Sequence, residues 1–253
     1  MTDDRMADEP QERDVADAVE GVEGVEDANG GLDGENGDET EPRAADGRVP
    51  GRRGMATRQR LLDCTQRMLR TETYRDLKVV DIAREAGTSP ATFYQYFPDV
   101  TTAIVSLAET AALEGNEQLT ALVKQGPWRG AAGYATAEAI ASGFIHFWEE
   151  RWPLMRVMEL TAAEGDQRFR SIRTRLLNEF TVALSEVIAS VQTKNPNPVD
   201  PMASASVLVS MLAHVAAHRY GFEFYGIRTE ELERSMAQIL WTTVTGQRPP
   251  KGS

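Results

Sequence analysis

The sequence predicts an all-α protein, a small helical head followed by a larger helical body. Three observations carry this. Apolar residues recur at three- and four-residue spacing from about residue 57 to about residue 244, no stretch alternates apolar and polar residues as a half-buried strand does, and glycines, prolines and capping residues punctuate the chain at helix-length intervals.

The first 54 residues stand apart. They hold seventeen Asp and Glu against six Arg, nearly all of the chain's formal charge of -12, with no aromatic residue and few large aliphatics. Such a segment cannot bury enough apolar surface to order itself, so it is expected to be a disordered tail over residues 1–54 ending in a basic arm. Met1 to Gly30 has neither the basic start nor the apolar core of a secretory signal. No run approaches the roughly twenty apolar residues of a membrane span. The single cysteine, Cys64, excludes an intramolecular disulfide and fits a reducing cytoplasm, the expected location.

At Arg52 the character changes. Seven arginines between Arg52 and Arg75 face only Asp63 and Glu72. Thr57 is expected to cap a first helix reaching about Arg70, with Leu61, Leu62, Thr65, Met68 and Leu69 inward and Arg58, Arg60 and Arg67 outward. Val80, Ile82, Ala83 and Ala86 form the apolar stripe of a short second helix, which Gly87 ends. Ser89 and Pro90 then open a third, to Tyr96, burying Phe93 and Phe97, four apart. Its outward residues carry small, hydroxyl, amide and phenol groups and no carboxylate. Such a surface suits a partner with negative charge and base edges, and helix, glycine turn and polar helix together make a helix-turn-helix whose last helix enters the DNA major groove.

Thr57 to about Leu107 resembles the DNA-binding domain of the tetracycline-repressor (TetR) family. The Ile82–Ala83 pair, the Ala86–Gly87 turn, the Thr92–Phe93–Tyr94 step and the terminal Tyr96–Phe97 carry the resemblance. It implies a helix-turn-helix DNA-binding domain over residues 55–100, a helical effector-binding and dimerisation domain over 101–247 and a flexible tail over 248–253. Two positions depart from the family pattern. Lys78 stands where the second helix usually opens on Ser or Thr, and Val100 stands where the fourth usually carries a phosphate-holding lysine. The expected DNA-binding set is Arg52, Arg53 and Arg58 with Tyr94 and Tyr96 on phosphates, Ala91, Thr92 and Gln95 on base edges, and Thr88, Ser89 and Pro90 at the turn.

The body reads as further helices. One runs from Asp99 to Lys124 and stops at Gly126–Pro127. A second spans about Gly130 to Glu150, and Trp152–Pro153 is expected to open a separate one to about Ala163. Gly165–Asp166 opens the next, Gln167 to Val191. The loop NPNPVDP, residues 195–201, breaks the chain before a helix to about Tyr220, and Thr229 opens the last, to about Val244.

The last two helices carry wide apolar faces, as a homodimer interface requires, and Val207, Met211, His214, His218, Met236 and Leu240 are the expected contacts. The middle helices are rich in aromatics and methionine. Tyr134, Phe144, Phe147, Trp148, Trp152, Met155, Met158, Arg173, Leu177 and Phe180 are expected to line an effector pocket, since the family resemblance implies one there. Arg151, Arg156, Arg168, Arg170, Arg173 and Arg175 beside that region suggest an anionic head on an apolar tail, such as a fatty acyl-CoA, and the chain looks like actinobacterial regulators of lipid genes. An aromatic or drug-like hydrophobic effector controlling an efflux or catabolic gene is the alternative, and a helical protein-interaction adaptor a remote one. No cofactor and no metal site is expected. His214 and His218, four apart, lack a third ligand, and there is no nucleophile motif or glycine-rich phosphate loop, so the chain is not expected to be an enzyme.

Overall fold

The computed structural model of the chain describes residues 51–196 and 198–250, and among them it has eight helices and no strand. The acidic segment expected to be disordered lies outside the described residues, as do Asn197 and residues 251–253. Helices α1 (Arg52–Met68), α2 (Val79–Glu85) and α3 (Pro90–Tyr96) make the head. Helix α4 (Val100–Gln125) leads from it into a body of α5 (Gly130–Ala163), α6 (Gln167–Val191), α7 (Pro201–Glu223) and α8 (Thr229–Thr245).

The head folds as its punctuation dictates, with two corrections. Helix α1 starts at Arg52, and Thr57 lies inside it, its hydroxyl donating to the Arg53 carbonyl at 3.1 Å. Arg52 and Arg53 are therefore a helical first turn and not an extended arm. Only Gly54 opposes a helix there, at a cost of about 1 kcal/mol. In α2 and its C-cap the buried stripe is Ile82, Ala83 and Ala86, with Val79 half-buried beside it, whereas Val80 is 56% exposed. Gly87 takes φ +66°, and the Gly87 and Thr88 amides close the helix on the carbonyls of Arg84 and Ala83. Ser89 accepts from the Thr92 amide at 3.2 Å to open α3, and Asp99 accepts from the Thr102 amide at 2.6 Å to open α4.

Trp152–Pro153 does not open a separate helix. Helix α5 runs unbroken for 34 residues with Pro153 inside it. An interior proline costs about 3 kcal/mol. The apolar stripe, however, continues in register across it: Phe144, Phe147, Trp148, Met155, Met158 and Ala162 are all buried. Each fully buried large side chain returns about 1.5–3 kcal/mol, so keeping the stripe continuous outweighs the break.

Helices α4 and α6 pack closely against one another and on α5. Gly115 permits it: a Cβ there would lie 2.5 Å from Leu176 Cδ1 and from Phe147 Cζ. Helix α7 overturns one expectation, because it is 23 residues long and an 18-residue stretch of it has a mean hydropathy of 1.3, long and apolar enough to cross a membrane by length and composition. In the fold one of its faces, Ala205, Leu208, Val209, Leu212 and Ala216, is buried against α5 and α6, and its buried Arg219 pairs with Glu149 at 3.0 Å. Met236 and Leu240 of α8 are at most 2% exposed. They belong to the protomer's own core and are removed from the expected dimer contacts, whereas Ile239 on the same helix is 49% exposed.

Candidate nucleic-acid interface and effector cavity

At one end of the molecule α3 presents its polar side. Phe93 and Phe97 anchor it from below, both buried, their ring centroids 5.6 Å apart. That anchoring leaves Ser89, Pro90, Ala91, Tyr94 and Gln95 exposed and Thr88, Thr92 and Tyr96 half-buried. The Thr92 hydroxyl lies 3.0 Å from that of Ser89, so it serves the helix cap. Arg52 and Arg53 are exposed at the start of α1.

Arg58 is a correction. Its guanidinium lies over the Phe97 ring, 5.0 Å from the centroid, and donates to Ser106 Oγ at 3.1 Å. Half-buried, its pKa lowered chiefly by desolvation, it ties the head to α4 and does not reach out for phosphate. Lys78, exposed at the N-terminus of α2, makes no ion pair among the described residues and offers the charge Arg58 withholds.

In the body, α5, α6 and α7 line an open cavity of about 510 Å³. Trp148, Met155, Met158, Leu176, Leu177 and Val209 give it an apolar wall, and Glu159, Arg173, Ser210 and His214 add polar groups. A volume of this order holds a drug-sized or lipid-sized ligand.

Five of the expected pocket residues, Trp148, Met155, Met158, Arg173 and Leu177, line this cavity. The others do not. Phe144 and Phe180 are fully buried and packed edge to face with centroids 5.0 Å apart, while Tyr134 packs on Trp241 at 6.0 Å. Phe147 sits beneath the Arg151 guanidinium, and Trp152 is 41% exposed and lines a neighbouring space with Trp148 and Met155. Large aromatics therefore fill the core, and methionine and leucine leave the space.

The arginine cluster also disperses. Arg151 pairs with Glu114 and Glu150, Arg168 with Asp166 and Arg175 with Glu109, while Arg170 donates to the Ala162 carbonyl. Arg168 holds the Asp166 carboxyl below the usual carboxylate range through their hydrogen bond. Only Arg173 of the six reaches the cavity.

Sequence reasoning missed the contribution of α7. Met211 and His214, expected only at a dimer interface, also line the cavity together with Val209, Ser210 and Ala213. The signal was present, because α7 is apolar around most of its circumference and such a helix is covered on more than one side. Val207 is 69% exposed and His218 exposed on the outer face, with the His214 and His218 rings stacked at 4.2 Å. Among the described residues no group of three or more His, Cys, Asp or Glu is placed to hold a metal.

Comparison with known proteins agrees with this geometry. Residues 61–99 match the family description "Bacterial regulatory proteins, tetR family", and residues 119–251 match "Tetracyclin repressor-like, C-terminal domain". A relative from Haemophilus influenzae described as an uncharacterized HTH-type transcriptional regulator is 27% identical over 134 residues, 53% of this chain and 63% of the relative's length. A solved structure from Mesorhizobium loti assigned to the TetR family superposes with a TM-score of 0.61 at 18% identity, covering 77% of this chain and 98% of that one. The regulator FadR of Bacillus subtilis, solved in complex with stearoyl-CoA, gives 0.56 at 14% identity over 73% of this chain and 98% of its own. At these identities the two structures speak to the fold.

Proposed function

Given that the chain belongs to the tetracycline-repressor family of DNA-binding, ligand-responsive transcriptional regulators, we propose that it is a cytoplasmic repressor that binds a near-palindromic operator as a homodimer and is released by an apolar, elongated effector, a fatty acyl-CoA. The observation that carries this reading is the cavity of about 510 Å³ between α5, α6 and α7, walled by Trp148, three methionines and two leucines. A narrow aromatic slot would favour flat rings. Flexible thioether and aliphatic walls accommodate a bent alkyl chain, and the structurally similar FadR of Bacillus subtilis binds stearoyl-CoA.

On the DNA side, Gln95, Ala91 and Thr92 face base edges, while Tyr94, Tyr96, Lys78, Arg52 and Arg53 hold phosphates. A single seven-residue helix reads few bases, so two copies related by a two-fold axis read two half-sites about one helical turn apart. The outer face of α7, with Met202, Val207, His214 and His218, is the surface on which the second copy sits. Cavity and head are linked through α4, whose second turn holds Arg58 by Ser106, so filling the cavity changes the spacing of the two heads.

A thermal-shift series with acyl-CoAs, free fatty acids and planar aromatic compounds tests the effector. The expected outcome is a rise in melting temperature for C14–C18 chains at micromolar concentration with loss of DNA binding. Stabilisation by the aromatic compounds alone would overturn the acyl reading.

A further inference from the structure

Two further spaces lie beside the cavity along α5. A second space of about 240 Å³ shares Trp148, Met155 and Glu159 with it, and a third of about 380 Å³ shares Trp152 and Arg156 with the second. The three follow α5 from the α6–α7 side to the head. There the third is walled on one side by Trp152, Pro153, Arg156, Val157 and Leu160 of α5 and on the other by residues 69–75, the turn between α1 and α2.

This seam is cationic and aromatic. Arg70 and Arg156 have no carboxylate partner among the described residues, although each lines the space. Arg156 lies over the Trp152 ring, 6.0 Å from its centroid, and Trp152 is 41% exposed. Arg75 lies over Tyr74 at 5.5 Å and is engaged by Glu164, to which the Tyr74 hydroxyl also donates at 3.2 Å. Glu72 is the one carboxylate in the wall. Unpaired guanidiniums beside an exposed indole match a group carrying phosphate next to a planar ring, since Arg forks phosphate bidentately and a base stacks on the indole.

We propose that the seam between the α1–α2 turn and α5 is a subsite for a phosphorylated nucleoside, held by Arg70 and Arg156 and stacked on Trp152. This goes beyond the apolar cavity and rests on the effector reading only in assigning that nucleoside to the far end of the same ligand. From Trp148 to Leu160 the helix rises about 18 Å, a span that a pantetheine-length linker covers. Because one wall belongs to the head and the other to the body, an anion seated there draws on Arg75 in competition with Glu164 and loosens the Tyr74–Arg75–Glu164 junction. Occupancy is thereby coupled to the position of the head.

Two probes separate this subsite from the cavity. Adenosine 3′,5′-bisphosphate carries the phosphates and ring without an acyl chain, and S-palmitoyl-pantetheine carries the chain without phosphate. Calorimetry on the full chain is expected to show bisphosphate binding that weakens at least tenfold in the double variant Arg70→Gln, Arg156→Gln, and palmitoyl-pantetheine binding that changes less than threefold. The third readout is palmitoyl-CoA, expected to bind the unaltered chain at least tenfold more tightly than palmitoyl-pantetheine, with that preference lost in the double variant. Both arginines are exposed, so the fold tolerates the changes. If the bisphosphate fails to bind, or binds the double variant equally well, the subsite is refuted whatever palmitoyl-pantetheine does. If only palmitoyl-pantetheine fails to bind, the subsite stands and the apolar-effector reading falls.

Discussion

Individual residues in this chain do work that their type alone does not announce. Arg58 has the position of a phosphate contact on the outer face of α1, yet Phe97 and Ser106 take it. The spacing placed it outward; that another helix covers that face was invisible, because α4 arrives 42 residues later. Gly115 is the converse case, an unremarked glycine in α4 on which the approach of α5 and α6 depends. Gly115→Ala would press a methyl against Phe147 and Leu176. The expected result is a destabilisation of about 1–3 kcal/mol, read as a lower denaturant midpoint with an unchanged slope. An unchanged midpoint would mean that these two side chains move aside freely.

At the scale of the element, the caps and stops were legible and the continuity of α5 was not. Asp99, Asp166 and Asp200 each accept a backbone hydrogen bond at the start of a helix, as their positions ahead of apolar runs imply. Pro153 looked like such a start because a proline after a tryptophan fits a first turn. The deciding evidence was the stripe running through it, a longer-range signal than the proline itself. Helix α7 shows what burial adds to periodicity. Its face of Ala205, Leu208, Leu212 and Ala216 is buried, Val209, Met211 and His214 line the cavity, and Val207 is 69% exposed. Val207→Glu is expected to shift the protein to monomer in sedimentation at micromolar concentration and to weaken operator binding at least tenfold, without lowering the melting temperature of the monomer. A dimer that persisted in this variant would place the interface elsewhere.

Across the whole molecule, charge is distributed as sharply as structure. Residues 1–50 contain seventeen acidic residues and four arginines, so the whole of the chain's net negative charge of -12 precedes α1. The head that meets DNA therefore carries a strongly acidic extension on its own first helix. Like charges repel at distances within the screening length, about 10 Å at 0.1 M salt. Removal of residues 1–50 is expected to tighten binding to any duplex at low salt, the difference from the full chain vanishing toward 0.5 M. Equal affinity at all salt concentrations would show that the extension stays clear of the DNA.

The head was legible because α2, the Gly87 turn and α3 are set by contacts within nineteen residues. The cavity was legible only in part, since it is the space left between three helices and depends on which large side chains fill the core. Trp148, Met155 and Met158 face it, while Phe144 and Phe180, indistinguishable by pattern, pack against each other instead.

The central claim, that α3 reads DNA in two copies, is tested most directly by selecting tight-binding duplexes from a random pool with the full chain and with Gln95→Ala. The account predicts a near-palindromic consensus whose half-sites lie about one helical turn apart. It also predicts a relaxed preference at one position per half-site in the variant, at a cost of about 1–3 kcal/mol. Enrichment of a single half-site, or an identical consensus from the variant, would contradict it.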